Sequence, residues 1–188
     1  MSRPAHEIDS PSAWVRRWAA LIRPGGRVLD VACGRGRHLR FLKSQGFSVV
    51  GVDRDEAALG VSKGVAGVEL HVADIESGPW PFPPGGFDAV VVTNYLHRPL
   101  FRNLIDALLP GGVLIYETFA QGNERYGRPS NPEFLLRPSE LLHSLEPLAI
   151  VAFEQGLVSV PKPAAVQRVC AVSGDPGAVA LDKALALK

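Results

Sequence analysis

Apolar residues come in short unbroken runs along this chain, and helical spacing fills the intervals between them. The runs are "RVLDVA", "FSVVGVD", "GVELHVAD" and, after a proline-rich loop, "FDAVVVTN". Runs of this length suit strands buried on both faces, and the intervening "RHLRFLKSQG" and "RDEAALGVSK" suit helices. Strand and helix in alternation predict a parallel sheet joined by right-handed crossovers, an α/β doubly wound architecture. "YLHRPLFRNLIDALLPGG" then predicts a helix with Leu100, Leu104, Ile105 and Leu108 on one side, closed by Pro110-Gly111-Gly112. "VLIYETF" predicts a fifth strand.

The two ends of the chain break this rhythm. "SPSAWVRRWAALIRPGG" predicts an N-terminal helix over 11–23, with Ser10 or Ser12 as N-cap and with Trp14, Trp18, Leu21 and Ile22 forming a docking face. Residues 120–137 are polar and rich in Gly and Pro, a length of connection that compact domains reserve for functional segments, so they form a candidate lid. A helix "PSELLHSL" follows. "LAIVAFEQG" and "AAVQRVCAV" are then joined by "LVSVPKP", too short for a crossover helix, so the two must pair as an antiparallel hairpin. The tail, 174–188, predicts a short helix that frays. The expectation is one domain over 1–188, with its sheet core over 27–173.

With 188 residues and 46% hydrophobic content, the chain can bury one sizeable core. A formal net charge of +1 gives no general electrostatic reason to bind nucleic acid or an acidic membrane. "MSRPAHEIDS" is polar, and no apolar run approaches the ~18 residues that cross a bilayer, so a soluble, cytoplasmic protein is expected. Cys33 and Cys170 stand far apart without metal-type spacing, which predicts reduced thiols and no metal.

The chemistry gathers at the predicted strand ends, where open α/β sheets bind ligands. The first strand ends at Asp30 and runs into Ala32-Cys33-Gly34-Arg35-Gly36, small residues that let a ligand approach the backbone. The helix starting near Arg37 offers free N–H groups to an anion. Asp53, followed by Arg54, ends the second strand, where a carboxylate can accept both hydroxyls of a ribose. Asp74 and Ile75 end the third, suited to an adenine amino group and ring face, and Asn94 with Tyr95 ends the fourth beside the expected reacting centre. Asp30 and Asp74 also suit loop or helix caps. Arg37 suits either a ligand carboxylate or a surface ion pair. His38 and Arg40 are expected to face solvent, and His71 reads as structural.

This order resembles the class I S-adenosylmethionine-dependent methyltransferases over roughly residues 27–172. The resemblance implies a Rossmann-like seven-stranded sheet, order 3-2-1-4-5-7-6 with strand 7 antiparallel, and S-adenosylmethionine as cofactor. It further implies that Asp30, Gly34 and Gly36 embrace the methionine part, that Asp53 binds the ribose and that Asp74 binds adenine. Ala32 stands where the family commonly has its first glycine. A nicotinamide oxidoreductase needs G-x-G-x-x-G, and Leu39 stands where the last glycine would fall. Leu39 is expected to pack helix on sheet, and Cys33 to be a small residue of the cofactor loop.

"TNYLH" lacks the Asn/Asp-Pro-Pro-aromatic signature of many amino-group methyltransferases, and no Pro-Cys pair matches the RNA cytosine enzymes. A small-molecule acceptor remains as the expected class, with nucleic acid disfavoured. "CGRGRHLRFL" and "YETFAQGNERYGRPSNPEFLLRPSELL" resemble the tellurite-resistance-type branch more weakly. Glu117, Tyr126 and His97 are the candidate catalytic residues, and Asn123 and Arg128 join Glu117 and Tyr126 as candidates to line the acceptor pocket or lock the lid. The alternatives are a cofactor-binding regulator without turnover, and an enzyme recruited to protein or RNA by a partner.

Overall fold

Alternate residues of the central strands face opposite ways, and both ways are buried. In the computed structural model Leu29, Val31, Val50, Val52, Val90 and Val92 point into one apolar layer, while Val28, Val49, Ala89 and Val91 point into another. This two-sided burial is why the runs carry no polar alternation. The structure describes residues 10–175, 177 and 180–182. Most of the tail, with its predicted helix, lies outside the described residues.

The strands are β1 (Arg27–Val31), β2 (Ser48–Asp53), β3 (Val68–Val72), β4 (Phe87–Thr93), β5 (Leu108–Phe119), β6 (Ala149–Val158) and β7 (Ala164–Val172). They form a seven-stranded sheet, ordered β3-β2-β1-β4-β5-β7-β6. The pairs from β3 to β5 are parallel, and β7 runs antiparallel to both β5 and β6. The expected sheet order and closing hairpin are therefore both present.

The helices are α1 (Ala13–Trp18), α2 (Arg37–Ser44), α3 (Glu56–Gly60), α4 (Phe101–Asp106) and α5 (Glu140–Ser144). Phe101 and Leu104 of α4 with Leu141 of α5 cover the first layer, and Trp14 and Trp18 of α1 with Leu39 and Leu42 of α2 cover the second. Ser12, not Ser10, caps α1, its Oγ accepting from the amides of Trp14 and Val15 at 3.0 and 3.4 Å. The helix predicted over 11–23 is thus shorter, passing after Trp18 into a 3-10 turn, Ala19–Leu21.

One element boundary differs more. Leu108 and Pro110-Gly111-Gly112 do not close the helix before β5 but lie within β5 itself. The pairing with β4 jumps from Phe87↔Leu108 to Ala89↔Val113, and the extra residues form a bulge. The bulge is held from β7: the Gly111 amide donates to the Ser173 carbonyl at 2.6 Å, and the Ser173 amide donates to the Gly112 carbonyl at 2.9 Å.

Leu39 is fully buried, and a Cβ built on Gly51 would fall 2.8 Å from its Cδ1, so α2 lies directly on β2. Leu39→Ala should therefore cost about 2–5 kcal/mol, read from the midpoint of urea denaturation. A loss below about 1 kcal/mol would contradict this packing.

Candidate functional site

Beyond β1 the chain must leave the sheet sharply, and it does so through left-handed residues: Ala32 at φ 52°, Gly34 at 53° and Gly36 at 75°. Ala32 adopts a conformation that favours glycine, which accounts for its place in the pattern and costs roughly 1 kcal/mol. The two glycines serve different ends. A Cβ at Gly36 would collide with Ser62 Oγ, so that glycine permits packing, whereas a Cβ at Gly34 would meet nothing within 4 Å. Gly34 leaves an open face of backbone. Its amide donates to Asp53 Oδ2 at 2.7 Å, and Asp53 Oδ1 accepts from the Asp55 amide at 2.9 Å, so the β2 carboxylate is locked to the β1 turn.

Ala32, Asp53, Arg54, Asp74, Ile75 and Tyr95 line one cavity of about 220 Å³. Six of the predicted residues from four strand ends therefore meet, together with Ala73 and Glu76, which the sequence reading missed. Asp74 both lines the cavity and caps a turn, accepting from Glu76 and Ser77 amides and from Ser77 Oγ. Those bonds, Ser77 Oγ foremost, hold its carboxyl below the ordinary range. Burial, with the Glu76 carboxylate nearby, raises the Tyr95 phenol and keeps it neutral.

Asp30 lies beneath the turn, 1% exposed, with Oδ2 lacking any hydrogen-bond partner. Burial pushes its pKa up to about 8, against the pull of the Arg37 guanidinium. That oxygen is left open to a hydrogen bond from outside the protein.

A second cavity, of about 300 Å³, adjoins the ends of β4 and β5 and reaches the β6–β7 connection. Arg37, Asn94 and Glu117 face it, as do Phe119, Val166 and Arg168. Its other walls are the segment Ser10–Ala13 and the hairpin end around Val160 and Lys162. Ser12 ties these parts together: its Oγ donates to Glu117 Oε1 at 2.8 Å, and its amide donates to His38 Nε2 at 3.1 Å. Glu117 Oε2 accepts from Arg168 at 3.3 Å.

Several expectations change here. His38 does not face solvent: it is 2% exposed, sandwiched between Ser12 and Thr93 Oγ1, the latter 3.4 Å from Nδ1. Arg40 is half-buried and donates to the Arg35 carbonyl. Cys33 and Gly36 sit behind the turn, and burial raises the Cys33 thiol so that it stays protonated. His97 precedes the 3-10 turn Arg98–Leu100 and lines neither cavity. Tyr126 is exposed, and Arg128 borders a separate shallow depression with Phe134. Asn123 fastens the candidate lid, donating to the Pro129 carbonyl and accepting from the Ala165 amide. The sequence marks Ser12 only as a cap and gives no site role to Phe119, Lys162 or Arg168; a lone arginine in the apolar run "AAVQRVCAV" is the available signal for Arg168. Among the described residues, no group of three or more His, Cys, Asp or Glu could hold a metal, and no helix is long and apolar enough to cross a membrane.

Known proteins share this arrangement. The family described as a methyltransferase domain matches residues 28–112, from β1 to the β5 bulge. The ubiquinone/menaquinone biosynthesis C-methyltransferase UbiE of Ectopseudomonas mendocina is 34% identical over 126 residues, 59% of this chain and 46% of the relative. In the matched segment and in its fold the chain is similar to the class I S-adenosylmethionine-dependent methyltransferases. The ubiquinone biosynthesis O-methyltransferase of Aromatoleum aromaticum is 31% identical over 135 residues, 66% of this chain and 56% of the relative. The chain thus spans about half the length of the curated relatives it matches. TehB from Haemophilus influenzae shares the fold, with a TM-score of 0.74 at 17% identity over 87% of this chain and 63% of that one.

The family's cofactor is S-adenosylmethionine, and the residues present fit it. The first cavity, at about 220 Å³, suits a nucleoside between the Asp53 carboxylate and Ile75. The open backbone at Gly34 and the orphan Asp30 oxygen suit a polar amino acid portion.

Accepting the Ser12 N–H requires an unprotonated His38 Nε2, and burial followed by Arg37 pushes its pKa from 6.5 down to about 3. Its stability contribution is present above pH 6.5 and lost as pH falls toward 3, with a slope of at most about 1.4 kcal/mol per pH unit. Urea denaturation between pH 4 and 7 should show His38→Gln flattening that dependence. An unchanged slope would contradict the buried neutral imidazole.

Proposed function

We propose that this chain is an S-adenosylmethionine-dependent methyltransferase acting on a small-molecule nucleophile held in the second cavity. The carrying observation is that this cavity is walled by the chain's own elements, with Arg37 and Asn94 in its lining, and that Asn94 is followed directly by Tyr95 of the first cavity. A cavity of about 300 Å³ suits a small ligand rather than a macromolecular surface, and a net charge of +1 offers no broad footprint for RNA. The relatives' names point to quinone biosynthesis, by C-methylation in one and O-methylation in the other, which supports a small organic acceptor and leaves its atom open.

S-adenosylmethionine supplies a methyl group on a sulfonium sulfur, which is displaced in line by the acceptor. The protein's task is then alignment and exclusion of water. Asp53 takes the ribose hydroxyls, and Arg37 with the Gly34 backbone receives the amino acid portion. Asn94 and Tyr95 follow β4, between the cofactor side and the acceptor side. Phe119 and Val166 give the acceptor an apolar wall. Glu117, oriented by Ser12 and Arg168, is placed to take a proton where the acceptor is a hydroxyl. A thiolate or stabilised carbanion needs no such base.

The test is release of S-adenosylhomocysteine from S-adenosylmethionine across a panel of small phenols, thiols and enolisable carbonyl compounds. Turnover with at least one small acceptor is expected, and Asp53→Ala should raise the cofactor Kd by about tenfold or more. Cofactor binding with label appearing only in lysate protein or RNA, or without turnover at all, would overturn the reading.

A further inference from the structure

The second cavity carries more positive charge than its own acid balances. Its lining carboxylate, Glu117, is already shared between Ser12 and Arg168, and Arg168 pairs with Glu154 as well. Arg37 faces the Asp30 carboxyl below. Arg16 and Lys162 remain, and neither has an acidic partner among the described residues. Lys162 is half-buried, and its Nζ stands 5.7 Å from the centroid of the Phe119 ring, beside the apolar wall. A cation kept there without an acidic partner among the described residues disfavours a cationic guest and gives a neutral one nothing in return.

Position determines which part of a guest this cation reads. Phe119 lies on β5 two residues beyond Glu117, which pairs with Thr93 at the end of β4, and Lys162 stands past the Phe119 ring in the connection between β6 and β7. A cation beside the reacting atom would stabilise an anionic nucleophile more than its methylated product and would slow the transfer. A cation set toward the hairpin instead holds a group remote from the methyl. Binding energy from that remote group then fixes the reacting end in place.

We propose that the methyl acceptor is a small apolar molecule bearing one anionic group of the carboxylate type, and that Lys162, assisted by Arg16, is the specificity-determining grip on that group. This rests on the reading of the second cavity as the acceptor site.

The test uses the whole chain saturated with S-adenosylhomocysteine, titrated with aromatic and aliphatic carboxylates of up to about a dozen heavy atoms, each paired with its methyl ester. At least one acid should bind about tenfold more tightly than its ester. Lys162→Ala should reduce that preference to about twofold or less while S-adenosylhomocysteine affinity stays within about twofold, and Lys162→Glu should turn the preference toward the ester. Esters binding as well as acids, binding of neither, or a preference that survives Lys162→Ala would overturn the proposal. Loss of S-adenosylhomocysteine binding by the unaltered chain would sink the underlying methyltransferase site instead, so the two failures are distinguishable.

Discussion

The constraint on which the rest depends is the reversal of strand order at β1. The chain winds outward through β2 and β3, then returns to lay β4 on the other flank of β1 and winds outward again through β5. Connections leaving β1 and β4 diverge to opposite faces, so a crevice opens above the carboxyl end of β1. Register places Asp30 of β1 beside Gly51 and Val91, deep in the sheet one residue before the strand ends. The turn that follows stays attached to the sheet, since the Cys33 amide still donates to the Val52 carbonyl at 3.1 Å. Asp53 and Asn94 then flank the crevice because β2 and β4 flank β1. The geometry of the first cavity is in this sense a consequence of topology.

The other half of the site comes from the elements that close the sheet. The antiparallel β6–β7 hairpin extends the sheet beyond β5 and supplies Arg168, Val166 and Lys162 to the second cavity. Helix α1 is anchored by Trp14, whose Nε1 donates to the Val169 carbonyl at 3.1 Å and whose ring lies 4.9 Å from the Arg168 guanidinium. That anchor positions Ser12, and Ser12 in turn touches His38 and Glu117. A residue preceding the first helix thereby joins α2, β5 and, through α1, the core.

Much of this was legible along the chain. Two-sided burial left its mark as the unbroken apolar runs, and the short "LVSVPKP" link left the hairpin no other pairing. The strand-end acids and Ile75 could be read because a parallel sheet delivers all such ends to one edge. The start of β5 could not: Pro110-Gly111-Gly112 carries the local chemistry of a helix stop, and only hydrogen bonds from Ser173, remote in sequence, draw it into the sheet. His38 was misread for a related reason. Local periodicity marks a helix face as apolar or polar, whereas this polar side chain is buried by Thr93 and Ser12, which lie far away along the chain. The grouping of Lys162, Phe119 and Arg16 likewise exists only in three dimensions.

The central claim is that two adjoining cavities divide the work, one holding the nucleoside and the other the acceptor. A crystal structure with S-adenosylhomocysteine tests it most directly. The predicted result is an adenosine seated between Asp53 and Ile75, ribose hydroxyls on the Asp53 carboxylate, and the sulfur turned past Asn94 toward the cavity walled by Glu117 and Phe119. A nucleoside bound elsewhere, or a sulfur turned away from that second cavity, would contradict it.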